Sequence, residues 1–366
     1  MKRKYIALAC LFSLSTGTLA QDCNQESVAQ QPGKWMEGLR GSQSGVPTSE
    51  LTSEKKVVAT LHNMIKSKYR PIGVEANFTG AYDMPSNEKP GNGYWYGIHF
   101  LNFYCEGTIL KTVHETSTYF SISANMFDAE IYEEASDQNP EGYYSMSDMP
   151  IEKDGHYYFK EKDASLGFGL NGKSSMWLVT YDGKLPFSYV SKKDFLLKRK
   201  QLLSDQMLNS ASSSKDVLTN LEIEKKYKET EYKGDQDKLQ KYLKMDYQPR
   251  KDRYQKLLAE NEKSYAPAFA KIEALLKMSA ADLSQPAIVK VDPQDHLSYL
   301  FTDDNDTFGK VLIKPNALYF KKLPKSSPQF FWVQIRGNHK DPIAAKAMTD
   351  VMSAVDFATL KGILGK

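Results

Sequence analysis

The sequence predicts an α+β protein. An antiparallel, β-rich part carries one packed helix, a long charged helical hairpin is inserted into it, and a C-terminal β/α segment completes it. Three observations lead there. Before residue 190, apolar and aromatic side chains recur with the period of two of a strand. Over 191–281 the period becomes helical, among many Lys and Glu, and after Pro286 strand-like runs return. The divisions expected are 1–20 as a signal peptide, 21–52 as a polar arm, 53–190 as the antiparallel-sheet part, 191–281 as the hairpin, and 282–366 as a segment packed on the first part.

Lys2, Arg3 and Lys4 precede a short apolar run from Tyr5 to Leu14, and Thr18-Leu19-Ala20 offers small residues for cleavage before Gln21. This has the form of a secretory signal peptide. The leader's three cations account for the whole net charge of +3, so no electrostatic case for nucleic acid remains. No later apolar run approaches the ~18 residues of a membrane-spanning helix. With Cys10 removed, Cys23 and Cys105 form an even pair, and an oxidising compartment favours a disulfide between them over two separate thiols.

The arm, 21–52, is rich in Gln, Gly and Ser and reads as irregular. A helix follows with Ser53 as N-cap and a stripe of Val57, Val58, Leu61, Met64 and Ile65 that ends before Pro71. His62 lies beside that stripe and reads as a helix-face residue with an ordinary hydrogen bond. Tyr94–Cys105 is aromatic on both faces, which places it mid-sheet with cover on both sides. Ser117–Tyr132 alternates: Phe120, Ile122, Ala124 and Met126 against Ser121, Ser123 and Asn125. Short Tyr-rich runs follow, separated by turns at Asn139–Gly142 and Asp154–Gly155, and the whole reads as a meander.

Trp177–Leu203 joins the two patterns. Asp182-Gly183 between two strand runs signals a hairpin, and Pro186 puts the second run at a sheet edge. Ser191 with Asp194 three residues on is an N-cap signature. The helical stretch from Phe195 is expected to break at Ser210–Ser214 and at Gln248-Pro249. A seam runs through Leu221, Tyr227, Leu239 and Leu243, and then Tyr254, Leu257, Asn261, Tyr265, Phe269, Ile272 and Leu276. Strands are expected over 287–291, 299–302, 310–313 and 330–336. Asp341-Pro342 then opens a helix, and Asp356 a last short one.

Several motifs touch on chemistry. Gly167–Ser174 fits G-x-x-x-x-G-K-[ST], but a phosphate loop must open a helix, and here a strand follows. A hairpin turning at Asn171-Gly172 explains it better. Asp303–Asp306 fails as an EF-hand, with Pro315 at position 12, and reads as a polar turn, with weak calcium binding left open. The six histidines have no zinc-binding spacing and there is no G-x-S-x-G. Asp128 and Glu130 share a strand face without the context of a glycosidase pair. Tyr143, Tyr144, Tyr157 and Tyr158, near turns, are the candidate ligand contacts, for a glycan or a peptide; packing within the sheet is the competing account. No catalytic, cofactor or metal residue is assigned.

The leader, the Trp177–Leu197 segment, Lys314-Pro-Asn-Ala-Leu-Tyr-Phe320 and Leu323-Pro-Lys-Ser-Ser-Pro-Gln-Phe330 resemble exported proteins of Bacteroidota-type bacteria. The resemblance implies a periplasmic or cell-surface location and brings no catalytic residues with it. The functional expectation is an exported, non-enzymatic protein that binds or scaffolds a protein or glycan partner. The alternative is a secreted hydrolase acting on glycan or peptide polymers.

Overall fold

A computed structural model describes residues 23–366 except 43–46, 85–90, 128–131, 134–141, 168–169, 182 and 304. The expected signal peptide, the Asp128/Glu130 pair and most of the Asn139–Gly142 turn therefore lie outside the described residues. In chain order the elements begin with α1 (Gln25–Gln30), β1 (Trp35–Ser42), α2 (Thr48–Lys68), β2 (Val74–Met84), β3 (Gly93–Glu106), β4 (Ile109–Thr112), β5 (Tyr119–Ala124) and β6 (Tyr132–Glu133). Next come β7 (Tyr144–Met146), β8 (Ile151–Lys153), β9 (His156–Tyr158), β10 (Lys162–Ser165), β11 (Asn171–Val179) and β12 (Phe187–Tyr189). The hairpin comprises α3 (Lys192–Glu231), α4 (Gln236–Tyr242), a π turn (Leu243–Tyr247) and α5 (Gln248–Leu275). The chain ends with α6 (Ala280–Ser284), β13 (Ile288–Asp292), β14 (Asp295–Phe301), β15 (Lys310–Pro315), β16 (Phe331–Gly337), α7 (Pro342–Ala354) and α8 (Phe357–Gly362). The fold is α+β, as expected. Among the described residues no helix is long and apolar enough to cross a membrane.

The strands divide between two sheets. The first runs β1-β2-β3-β5-β16-β11-β9-β8, with β4 and β10 as side pairings; the second runs β14-β13-β15-β7-β6, with β12 on β15. Side-chain alternation on the shared strands explains how they stack. Phe331, Val333 and Ile335 of β16 face a core shared with α2, α7 and α8, while Trp332 faces the second sheet. In β15, Val311 and Ile313 face the first sheet and Leu312 faces the base of the hairpin. The result is four layers: helices, sheet, sheet, helices. Strands buried on both faces can be apolar throughout, and the one buried amide on β16 is satisfied: Gln334 accepts from Tyr119 Oη at 3.1 Å and donates to Ser174 Oγ at 3.2 Å.

Several expectations need correction. The arm is structured: α1 is capped by Asn24, and β1 pairs in parallel with β2 through the α2 crossover. α2 starts at Thr48, with Pro47 in the cap position and no side-chain cap. β3 is covered fully on one face and partly on the other; Tyr94, Tyr96, Ile98 and Phe100 are fully buried and Phe103 is buried on the opposite face, where Trp95, His99 and Leu101 are half-buried. The run after Asp182-Gly183 forms no hairpin with β11. Both edges of β11 are already paired, by β16 on one side and by β9 and β10 on the other, so β12 crosses to the second sheet. The phosphate-loop mimic is a β10–β11 hairpin that turns at 166–170. Asn171 and Gly172 lie inside β11, where a Cβ on Gly172 would sit 2.3 Å from Gly337 O.

The inserted hairpin leaves and re-enters at one point. Ser191 Oγ accepts from the Asp194 N–H at 3.0 Å, and Ser191 bridges Pro286 at the other end of the excursion. α3 runs unbroken for 40 residues, about 60 Å. The serines at 210–214 do not break it because hydroxyls of Ser210 and Ser212 donate to carbonyls one turn back. Reversal comes at 232–235, and the disturbance near Pro249 is a π turn immediately before it, with the Gln248 N–H reaching Leu243 O. Beyond Leu203 the seam is largely polar: Asn261 with Met207 O and Ser210, Glu222 with Tyr247 and Lys251, Arg250 with Glu224. Tyr227, expected in the seam, is 66% exposed.

Cys23 and Cys105 are bonded, with Cα atoms 5.6 Å apart at a sequence separation of 82. Closing so long a loop constrains the unfolded chain by about 4 kcal/mol in the entropy model. Replacing both cysteines by serine is expected to lower the urea midpoint by that equivalent; an unchanged midpoint would deny the bond its stabilising role. Since the outer hairpin packs on itself and contributes no residue to the three hydrophobic cores, replacing residues 205–263 by a short turn should leave the tryptophan bands of near-UV circular dichroism intact, all four tryptophans lying outside it. The thermal midpoint of the remainder should stay within about 4 °C.

Candidate functional site

A cleft of about 590 Å³ opens between α2, β1 and β2, in the size range of ligand pockets. The helix contributes a stripe at Lys55, Ala59, His62 and Lys66, spaced four, three and four residues apart so that all share one face. The two lysines stand eleven residues apart, about 16 Å along the axis. β2 contributes Phe78 and Tyr82, and β1 contributes Glu37 and Arg40.

A β-bulge puts the last two on the same side. Residues three apart on a regular strand point to opposite faces, but β1 shifts register between Glu37 and Arg40: Glu37 pairs with Phe78 and Arg40 with Gly80, so one extra residue is accommodated. Glu37 and Arg40 then both face α2 and form an ion pair at 2.6 Å. Leu39, in the bulge, is thrown outward and is 91% exposed. Gly38 is required there, because a Cβ would lie 2.5 Å from Asn77 Oδ1 and 2.7 Å from Phe78 O.

Rings underlie the cations. His62 stacks on Phe78 with centroids 4.2 Å apart and 11° between planes, and meets the edge of Trp35 at 5.1 Å. Arg40 lies 4.5 Å from the Phe78 centroid, Lys55 5.7 Å from that of Tyr82 and Lys66 5.8 Å from that of Trp35. Arg40 has the Glu37 carboxylate; Lys55 and Lys66 have no carboxylate partner among the described residues. Burial, reinforced by Lys66, holds the His62 pKa below its ordinary value, and Nδ1 is buried without a hydrogen bond. The imidazole is therefore neutral at pH 7. Burial also pushes the Tyr82 phenol up against the pull of Arg40. The lining thus holds three cations and one carboxylate.

The tyrosines chosen from sequence are not brought together here. Tyr144 and Tyr157 are buried in the core between the sheets, Tyr143 packs partly on the core at the hairpin base, and Tyr158 is half-buried on β9. The Asp303–Asp306 turn is engaged internally: Asp306 holds Lys290, Thr302 Oγ1 and the Phe308 N–H, which draws its carboxyl down to about 2. No metal-ligating cluster occurs among the described residues. Of the cleft's lining, Val58, as part of the apolar stripe, and His62, as a helix-face residue, were singled out from sequence. The Lys55–Lys66 stripe was a legible signal, but its partners on β1 lay in a stretch read as irregular. Set against protein-family models, curated proteins and solved structures, the chain matches none.

His62, like His99, is held below its ordinary value of 6.5 by burial. For both, the unfolded chain binds the proton more readily, so their contribution to stability is present above 6.5 and declines as pH falls below it. His62→Phe keeps the stack on Phe78 and removes one titration. Urea titrations should show that the variant loses less stability than the wild type between about pH 7 and about pH 5; parallel losses would overturn this.

Proposed function

We propose that the protein is an exported, non-catalytic binding protein that holds a segment of acidic glycan in the cleft between α2 and β1. The observation that carries this reading is the bulge of β1, which sets Arg40 opposite Lys55 and Lys66 in a cleft with one carboxylate. Cations spread over about 16 Å suit a chain with charges along its length better than a single small anion. The ammonium groups of Lys55 and Lys66 lie over the rings of Tyr82 and Trp35, which favours their orientation toward the cleft and reduces the ordering cost of binding. Glu37 is occupied by Arg40 and His62 is neutral, which favours binding over the two-carboxylate chemistry of a glycosidase. The disulfide supports an oxidising location, periplasmic or at the cell surface.

Titration calorimetry with polygalacturonate, uncharged dextran as control, tests the reading. Binding should weaken with added salt. Each of Lys55→Ala and Lys66→Ala should cost about 1.5 kcal/mol, roughly tenfold in affinity. Binding indifferent to both substitutions would place the ligand elsewhere, and poly-glutamate bound in preference would make it an acidic polypeptide.

A further inference from the structure

On the same face of the first sheet, on the far side of the covering helices, lies a second groove of about 550 Å³ between α7 and β11. Its floor includes Trp177, its wall Met348 and Met352, and its rim Glu161, Lys173 and Ser175. Trp177 is half-buried, and its direct cross-strand partner is the half-buried Tyr158 of β9. Directly opposed residues share a sheet face, and on that face the ring of Trp177 has Phe357 of α8 as a neighbour, with centroids 6.4 Å apart.

The rim differs from that of the α2 cleft in charge and in hydrogen-bonding sense. Lys173 Nζ lies 2.9 Å from Asp163 and 3.6 Å from Glu161, so its charge is compensated. Glu161 also accepts from Ser175 Oγ at 3.3 Å. The hydroxyls of Thr349 and Ser353, which line the α7 side, donate to Ala345 O and Thr349 O. Each of those hydroxyl protons is committed within the helix, leaving oxygen lone pairs toward the groove. His339 also lines the groove; apart from its imidazole the rim is rich in acceptors, and its one ammonium, that of Lys173, has carboxylate partners. It suits a ligand with many O–H donors and an apolar ring face to lie on an indole, and it disfavours a carboxylate or sulfate.

From this geometry we infer that the Trp177 groove is a second binding site, for a neutral oligosaccharide. The inference stands on residues separate from the α2 cleft and does not depend on it. An aromatic floor contributes apolar contact at low entropic cost, and the acceptor rim orients the ring hydroxyls.

The test is calorimetry of the full-length protein with neutral hexasaccharides of glucose, mannose and xylose, and with polygalacturonate as the anionic comparison. At least one neutral hexasaccharide should bind, with little dependence on salt. Trp177→Leu keeps an apolar side chain in the sheet and should weaken binding roughly tenfold, about 1.4 kcal/mol. Ser353→Trp fills the groove from an exposed helix position without touching the core, and should abolish binding even if Trp177→Leu proves unstable. Lys55→Ala and Lys66→Ala together should leave neutral-sugar binding unchanged. The inference fails if no neutral hexasaccharide binds, if binding survives Ser353→Trp, or if the groove variants reduce polygalacturonate binding instead.

Discussion

Everything in this fold depends on burying a strand that has no solvent face. From Phe331 to Ile335 each side chain of β16 is at most 3% exposed, and such a strand is stable only where both sides and both edges are covered. β5 and β11 cover the edges, the α2–α7–α8 layer covers one side, and the second sheet covers the other. Removing either layer would expose phenylalanine or tryptophan to water at about 25 cal/mol per Å². The hairpin base is in turn the cover for the second sheet. Each layer thus exists because the one inside it cannot face solvent.

The two clefts follow from that arrangement. α2 and α7 cover the middle of the first sheet, so the sheet's flanks project beyond them, and each flank with its nearest helix forms a groove. The flanks differ in chemistry because their edges are built differently. On the β1 side a bulge brings an arginine round to face the helix lysines. On the β11 side a regular antiparallel ladder sets Lys173 directly across from Asp163, where the charges cancel. One sheet face therefore presents a basic groove and a charge-compensated one.

Local chemistry was the legible part of the sequence. Ser191, Asp341 and Asp356 cap the helices assigned to them, the alternation of Phe120, Ile122 and Ala124 gives β5 its inward face, and the even cysteine count paired Cys23 with Cys105. Pairing between distant strands was not legible. A run apolar on both faces announces burial without naming its neighbours, and nothing around 331–337 says that β16 separates β5 from β11. The basic groove was hidden for a related reason. Its strand contains Gly38 and Gly41, and lacks alternation because the bulge shifts its side-chain phase. A one-residue register slip reverses facing, and only the partner strand reveals it.

The disulfide has a consequence for the order of assembly. Cys23 and Cys105 bracket β1, α2, β2 and β3, so this portion can be latched covalently when barely a third of the chain is present. β16, which joins the two halves of the first sheet, is among the last strands made. Before it arrives, β5 and β11 each have an open edge, and such edges invite pairing with other chains. Contacts between residues so far apart in sequence also form slowly. The early cross-link then acts as a ratchet: it prevents the N-terminal portion from dissolving while the chain awaits the strand that completes its sheet.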